Sequence, residues 1–177
     1  STRKESSAAS DVYKRQSLAC PWASRTLMMR KLKDLEGIID LAIVSPLMGE
    51  DGWTFEDYPG ASKDPIFGAR YLREIYTQAD PNYTGKVTVP VLFDKKEKII
   101  VNNESEEILR MLNTAFNDLT GNKLDFYPQE LREDIDRINQ EVYHNVNNGV
   151  YKAGFATKQE IYEEEVRNLF KACLLYT

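Results

Sequence analysis

Apolar positions over residues 21–79 change between helical and strand spacing. After Pro21 they recur at intervals of three and four residues, which predicts a helix that ends at Gly37. The β-branched run at 38–46 predicts a short strand, and the stripe over 66–79 predicts a second helix. The apolar residues of the first helix are Leu27, Met28, Leu32 and Leu35. A helix followed by a strand and another helix favours an α/β layer arrangement.

The segment 86–103 has the pattern of a β-hairpin, in which the charged turn DKKEK joins two apolar runs. Pro90 lies inside the first run, where a central strand would lose a ladder hydrogen bond. The proline therefore indicates an edge strand, a bulge or a special turn such as a cis peptide. A strong helical stripe follows over 103–119, and Asn103 or Ser105 is expected to cap that helix.

From Pro128 onward the pattern is helical only. Apolar residues recur at helical spacing at Leu131, Ile135, Ile138 and Val142. The stretch NNGVYKAG, residues 147–154, predicts a break or kink, and a further helix is predicted over 158–172. The chain is therefore expected to contain an α/β domain over 17–119, a linker over 120–127 and a helical domain over 128–177.

The first 16 residues have no apolar periodicity and are rich in Ser, Ala and charged residues, which is typical of a tail. The piece ESSAASDVYKRQ also resembles translated sequencing-adapter read-through, and CLLYT resembles the same artefact at the other end. On that interpretation the natural portion runs from about Ser17 to Ala172 and is cut at both ends. An ordinary disordered terminus is the alternative.

Composition and charge exclude several classes of protein. The net charge is −5 and the basic residues are dispersed, which argues against a nucleic-acid binder. No apolar run approaches the roughly 20 residues that span a bilayer. Cys20 and Cys173 do not form a secreted disulfide framework, so we expect a soluble cytoplasmic protein with reduced thiols. His144 is the only histidine and no metal-ligand spacing accompanies it, so no metal is expected.

Cys20 is the candidate for covalent chemistry. It precedes a proline that is favoured in the first turn of a helix, where unpaired N–H groups and the helix dipole stabilise an anion. Arg25, Arg30 and Lys31 add positive charge nearby. Such surroundings lower the pKa of a cysteine thiol and make its thiolate a nucleophile. From these features alone, a nucleophile and a structural cysteine remain equally acceptable interpretations.

The order of the motifs carries a resemblance to a known family. A Cys-Pro pair that opens a helix, a Val-Pro pair before a hairpin and an acidic-Ser pair at a helix start resemble a glutathione transferase. The stretches ACPWASRT, GWTF, ADPNYTGKVTVPVLFD, NNESEEI and NNGVYKAGFAT closely resemble the glutathionyl-hydroquinone reductases, its Xi class. The resemblance covers Leu18 to Phe170. It implies a thioredoxin-like domain followed by an all-α domain.

The resemblance also implies an activity. The matching cysteine, Cys20, would attack the glutathione sulfur of a glutathionyl-hydroquinone, release the hydroquinone and remain as a mixed disulfide with glutathione. A second glutathione, the co-substrate, would then resolve that disulfide. Tyr151 matches a tyrosine that donates a hydrogen bond to the hydroquinone oxygen. Ser24 stands where many members of the family have histidine.

The implied glutathione site uses backbone as well as side chains. Val89, before a cis Pro90, would pair with the cysteinyl part of glutathione. Ser105 and neighbouring N–H groups would hold the γ-glutamyl carboxylate, and Glu104 would take its ammonium.

Two further residues complete the implied site. Trp53 would pack over glutathione, and Lys86 would pair with its glycyl carboxylate. Without the resemblance, ordinary roles in the core or on the solvated surface would be the better interpretation of these residues.

Three departures qualify the resemblance. The strand that precedes the cysteine in the family is expected to be largely missing, because only SLA, residues 17–19, resembles it. The family is homodimeric, but its dimer contacts and further quinone-site tyrosines lie in a region that we expect this chain to lack. A cysteine transferase of the omega type, acting as a thioltransferase or dehydroascorbate reductase, and an inactive fragment are the alternative functions.

Overall fold

The computed structural model describes residues 12–174. Predictions that concern residues 1–11 and 175–177, which include most of the two adapter-like pieces, lie outside the described residues. The chain divides into two compact units between Asp125 and Phe126, and each is described by itself below. An α/β unit is followed by an all-α unit, which confirms the expected order of fold classes.

A four-stranded mixed sheet organises the first unit. Its strands are β1 (Val12–Gln16), β2 (Asp40–Ile43), β3 (Val91–Asp94) and β4 (Ile99–Asn102). They lie in the order β2-β1-β3-β4. β1 runs parallel to β2 and antiparallel to β3, and β3 and β4 form the predicted hairpin. The predicted strand over 38–46 is shorter because only its middle pairs with β1.

Over residues 12–125 this sheet is accompanied by four helices: α1 (Pro21–Leu32), α2 (Leu72–Ala79), α3 (Ser105–Thr114) and the short α4 (Asn117–Thr120). α1 packs against α3. The predicted end of α1 at Gly37 is wrong. The helix ends earlier because Asp34 takes the left-handed conformation, with φ at 56°.

The apolar stripe predicted for α1 is also wrong in part. Met28 and Leu32 are 57 % and 50 % exposed, whereas Ala23, Thr26 and Met29 face the interior. The predicted helix over 66–79 begins only at Leu72. Its first part is held as a turn, because the Asp64 carboxylate accepts the backbone N–H groups of the residues at 67 and 69.

The sheet separates two apolar clusters. One contains buried residues of β1, β2, β3 and α2, with Phe93, Leu72 and Ile75 among its fully buried members. The other lies among β3, α1 and α3 and includes Leu92 and Ile108. Burial of side chains this large stabilises the folded state by about 1.5–3 kcal/mol each.

β1 corrects two expectations. Residues 12–16 were assigned to a tail, and the first strand was expected to be largely missing, yet Val12–Gln16 forms a strand at the centre of the sheet. Both edges of β1 are paired in register, to β2 and to β3. Backbone N–H and C=O groups make these ladders whatever the side chains are, so a polar sequence can occupy the position.

The side chains of β1 destabilise the folded state, because several polar groups are buried in the sheet. Lys14, Arg15 and Gln16 are fully buried. On one face, the Arg15 guanidinium donates to the Asp64 carboxylate at 2.9 Å and lies 4.6 Å from the centroid of the Phe93 ring. On the other face, the Lys14 ammonium donates to the side-chain oxygen of Gln16. Arg15 Nη1 and Gln16 Nε2 are buried without a hydrogen-bond partner, which destabilises the folded state.

The second unit consists of helices. A 3₁₀ turn (Gln129–Leu131) leads into α5 (Arg132–Val142) and a π-helical turn (Tyr143–Asn147), followed by α6 (Gly149–Gly154) and α7 (Gln159–Cys173). The break predicted over 147–154 is wrong in part, because the π-helical turn comes before most of that stretch and Gly149–Gly154 is itself helical. α6 packs against α7, where the Lys152 ammonium lies 3.8 Å from the Glu165 carboxylate. Among the described residues of this unit only Gly149 and Ala172 are buried.

Within residues 12–174, none of the helices has the length and apolar character that crossing a membrane requires.

Burial makes the charge state of Lys14 a determinant of stability. Burial, and next the charge of Arg30, lower the pKa of the Lys14 ammonium to about 7, while the charge of Cys20 acts in the opposite direction. The unfolded chain keeps the ordinary lysine pKa, so between about pH 7 and pH 10 it binds more protons than the folded chain. The free energy of unfolding therefore increases as the pH rises through this window.

We expect Lys14→Met to raise the free energy of unfolding at pH 7 by about 4 kcal/mol, because it removes a charge that folding must neutralise. The increase should shrink steadily towards pH 10. Urea unfolding at pH 7, 8, 9 and 10 would measure both effects. Lys96→Met, at an exposed position, is the matched control and should leave the pH dependence unchanged. Equal pH dependence in Lys14→Met and the unsubstituted chain would contradict the prediction.

Candidate active site

Cys20 lies at the N-terminal end of α1, as predicted. It is the N-cap residue, with extended backbone angles, and Pro21 is the first residue of the helix. Its carbonyl accepts the N–H of Ser24 at 3.0 Å, and its own N–H donates to the carbonyl of Ser17. No side chain caps the helix, so the thiol lies where N–H groups and the helix dipole favour an anion. The side chain of Cys20 is partly accessible.

The backbone of Val89 is the closest polar partner that the structure gives the thiol. Cys20 Sγ lies 3.8 Å from the carbonyl oxygen of Val89. The Val89–Pro90 peptide bond is cis, which confirms the special turn predicted at Pro90. Both residues are buried. Two residues that are 69 positions apart in sequence are thereby brought together.

A hydrogen-bond cluster that the sequence analysis missed holds the segment before Val89. The hydroxyl of Tyr76, a buried residue of α2, donates to the carbonyl of Thr88 at 2.8 Å and accepts the Thr88 N–H at 3.3 Å. The Asn103 side-chain amide donates to the Tyr76 hydroxyl and to the Thr88 hydroxyl. The sequence signals this cluster only through Tyr76, whose hydroxyl is a polar group within the apolar stripe of α2. The sequence does not reveal the partners of that hydroxyl.

Glu104 and Ser105 mark the start of α3, as expected, but the predicted cap is wrong. Glu104 is the N-cap and no side chain caps the helix. Asn103 lies one residue before the N-cap, and its Nδ2 donates to the Tyr76 and Thr88 hydroxyls. Ser105 is the first helical residue and is 4 % exposed, while Glu104 is exposed. The N-terminus of α3 is thus free of side-chain caps and bordered by a buried hydroxyl.

Arg25 contacts this helix start and not the thiol. Its Nε and Nη2 donate to the Ser105 hydroxyl oxygen at 3.0 Å and 2.6 Å, and its guanidinium lies 5.1 Å from the centroid of the Trp22 ring. Burial lowers the pKa of Arg25, and the nearby carboxylates of Glu106 and Glu104 partly restore it.

Arg30 makes its hydrogen bonds away from the candidate site. It donates to the backbone carbonyls of Ile39 and Glu36 at 2.6 Å and 2.9 Å, so it closes the loop after α1.

The remaining predicted residues of the first unit lie in loops. Trp53 is half-buried against the apolar cluster around Phe93, and its carbonyl accepts the N–H of Leu72 at 2.9 Å, which ties its loop to the start of α2. Lys86 is exposed, three positions before Val89, and its carbonyl accepts the Tyr83 hydroxyl.

Tyr151 belongs to the second unit. It lies on α6, is 40 % exposed, and its ring stacks on that of Phe155 with 6.5 Å between the centroids. Its role beside the cysteine stays a prediction.

Among residues 12–174, no three His, Cys, Asp or Glu side chains are grouped so that they could hold a metal ion.

The elements place two chemical features on α1. Its N-terminus carries Cys20 against the Val89 carbonyl, and five residues later Arg25 reaches the start of α3. The arrangement can support a thiol nucleophile beside the main chain of Val89, and the uncapped start of α3 can attract an anion.

Known proteins are similar to this chain in sequence. Residues 19–115 match the family model of the glutathione S-transferase N-terminal domain. The chain is 56 % identical over 157 residues to the glutathionyl-hydroquinone reductase YqjG of Escherichia coli K12, covering 88 % of this chain and 48 % of that protein. It is 56 % identical over 152 residues to the glutathionyl-hydroquinone reductase PcpF of Sphingobium chlorophenolicum, covering 86 % and 49 %.

Solved structures show the same similarity. The glutathione-bound structure of YqjG matches with a TM-score of 0.91 and 53 % identity, over 93 % of this chain and 54 % of that one. The glutathione transferase Xi of Phanerochaete chrysosporium matches with a TM-score of 0.88 and 50 % identity, over 92 % and 56 %. These matches confirm the predicted thioredoxin-like domain and the helical region that follows it in sequence.

The chain spans about half the length of the curated relatives that it matches. Cys20 lies at a helix start that no side chain caps, and the Val89–Pro90 peptide bond is cis. Together with the family match over residues 19–115, these features lead to one assignment. The chain belongs to the glutathione S-transferase family.

Proposed function

We propose that this protein is an enzyme that reduces glutathionyl-hydroquinones to hydroquinones at the expense of glutathione. The observation that carries the proposal is the position of Cys20 at an uncapped helix start, with its thiol 3.8 Å from the carbonyl of Val89. High identity to two proteins named glutathionyl-hydroquinone reductases supports the choice of substrate class.

The reaction balances in two thiol steps. The Cys20 thiolate attacks the glutathione sulfur of the substrate, so a sulfur–sulfur bond forms and the bond from sulfur to the ring carbon breaks. The ring carbon takes a proton and leaves as the free hydroquinone, while Cys20 is left as a mixed disulfide with glutathione. A second glutathione attacks that disulfide, regenerates the Cys20 thiolate and departs as glutathione disulfide.

Glutathione is proposed to bind along the main chain beside the cysteine. Its cysteinyl residue pairs with the backbone of Val89 as an added strand, which places the substrate sulfur next to Cys20. Its γ-glutamyl carboxylate binds the N-terminus of α3 at Ser105, and Glu104 takes the ammonium group. The glutathione-bound structure of YqjG supports a glutathione site in this fold.

Three further residues are proposed at the edges of the site. Trp53 packs over the peptide and Lys86 pairs with its glycyl carboxylate. Tyr151 donates its hydroxyl to the hydroquinone oxygen and stabilises the charge that develops there as the carbon–sulfur bond breaks.

A reducing compartment fits this chemistry. The reaction consumes reduced glutathione, and both cysteines of the chain are free thiols. We therefore place the protein in the cytoplasm. The homodimer implied by the family resemblance stays a prediction, which light scattering on the purified chain would test.

Cys20→Ser should lower turnover of glutathionyl-menadiol by about 10³-fold or more, because serine cannot form the disulfide intermediate. Menadiol and glutathione disulfide are measured by chromatography. Intact mass after one substrate addition without glutathione should show a glutathione adduct on the unsubstituted chain and none on the variant.

Cys173→Ser is the matched control, since Cys173 is exposed and lies in the second unit; it should keep full activity and the adduct. Full activity of Cys20→Ser would contradict the mechanism. Turnover of dehydroascorbate in place of glutathionyl-menadiol would favour an omega-type transferase, and no turnover of either would indicate an inactive fragment.

Tyr76→Phe should weaken binding of S-methylglutathione by about threefold to tenfold, because the Thr88 carbonyl and N–H lose the hydroxyl that holds the segment before Val89. Calorimetric titration measures the affinity. Tyr162→Phe, a partly exposed tyrosine of the second unit, supplies the control and should bind as the unsubstituted chain does. Unchanged affinity in Tyr76→Phe would show that this hydroxyl does not position Val89.

A further inference from the structure

Arg25 makes an unusual contact with Ser105. Two of its N–H groups, at Nε and Nη2, donate to one hydroxyl oxygen, at 3.0 Å and 2.6 Å. These residues are 80 positions apart, on α1 and α3. Guanidinium groups more often place this pair of donors on the two oxygens of a carboxylate, so a hydroxyl as the shared acceptor calls for an explanation.

The contact restricts what the hydroxyl can do. A serine hydroxyl has two acceptor lone pairs and one hydrogen to donate. When Arg25 occupies both lone pairs, Ser105 can act only as a donor towards a third group. Ser105 is 4 % exposed and is the first residue of α3, so its hydroxyl is largely withdrawn from water at the start of that helix.

The surroundings favour an anion as the third group. Within α3 no side chain caps the N-terminus, so the first N–H groups of the helix are available to a ligand. Arg25 itself is held in place by the Trp22 ring at 5.1 Å and carries a charge that is partly withdrawn from water. The carboxylates that raise the pKa of Arg25, those of Glu106 and Glu104, are both on exposed residues at the start of α3.

We propose that Arg25 is a positioning residue for glutathione recognition: it turns the Ser105 hydroxyl into an obligate donor aimed at the γ-glutamyl carboxylate. This inference rests on the proposed glutathione site. The contact makes the site selective for thiols that carry an α-carboxylate on a γ-linked residue, because such a group accepts the Ser105 hydrogen and the N–H groups of α3 together.

A purely structural role for Arg25 would be to clamp α1 to α3. The two roles differ in one respect. A clamp affects every ligand of the site equally, whereas a positioning role affects only ligands that carry the carboxylate.

The test compares two probes that differ in this one group. The first is S-methylglutathione, which cannot exchange disulfides. The second is its 4-aminobutyryl analogue, in which only the α-carboxylate of the γ-glutamyl residue is absent. Calorimetric titration of the full 177-residue chain measures both affinities for the unsubstituted protein, Arg25→Gln and Arg25→Lys. Arg70→Gln, in an exposed ion pair with Glu56, is the control for the chemical change.

We expect Arg25→Gln to weaken S-methylglutathione binding by about tenfold, and to change the affinity for the analogue by less than about twofold. Arg25→Lys should recover part of the loss, because an ammonium keeps the charge but not the paired donors. Arg70→Gln should bind both probes as the unsubstituted chain does.

Equal weakening of both probes by Arg25→Gln would overturn the proposal in favour of a clamp, and so would unchanged binding of S-methylglutathione. A fall in thermal stability with unchanged selectivity between the probes would do the same. If the unsubstituted chain bound neither of the two probes, the proposed glutathione site would be overturned, and the present inference with it.

Discussion

The central strand β1 is the constraint on which the rest of the first unit depends. It pairs along both edges, with β2 and with β3, and its last residue is followed within four positions by Cys20. The start of α1, and with it the thiol, is therefore positioned by main-chain hydrogen bonds. Those bonds are indifferent to side chains, and for that reason a strand with buried Lys14 and Arg15 still occupies the position. The buried polar side chains of β1 destabilise the folded state, but they leave the main-chain pairing that positions Cys20 intact.

α1 then connects the two halves of the candidate site. Its N-terminus faces the Val89 carbonyl, and Arg25 reaches the start of α3 from the next turn. Neither half is made by one segment alone, since the partners lie 69 and 80 positions away. The Tyr76 hydroxyl links α2 to the segment before Val89 and so connects a third element to the same place. A small number of polar contacts between elements thus holds together the segments that form the candidate site.

Prediction from the sequence succeeded where the signal is local. The α/β-then-α order, the hairpin over 86–103 and the special turn at Pro90 follow from periodicity and proline chemistry, and all three are confirmed. It failed where a distant partner decides. Asp64 holds residues 67 and 69 in a turn and delays α2, and the Asn103 amide donates to Tyr76 and does not cap the start of α3. Neither partner is visible in the local pattern.

The sequence by itself determined the family and the order of the elements, because these depend on residue types at fixed local spacing. Only the tertiary structure decided that Val12–Gln16 is the central strand, and that Arg25 serves Ser105 while Arg30 closes a loop. Strand pairing and long side-chain contacts depend on which segments meet in space. The pairing of β1 was concealed by its polar side chains. The different contacts of Arg25 and Arg30 were concealed because both carry the same charge and lie close to Cys20 in sequence.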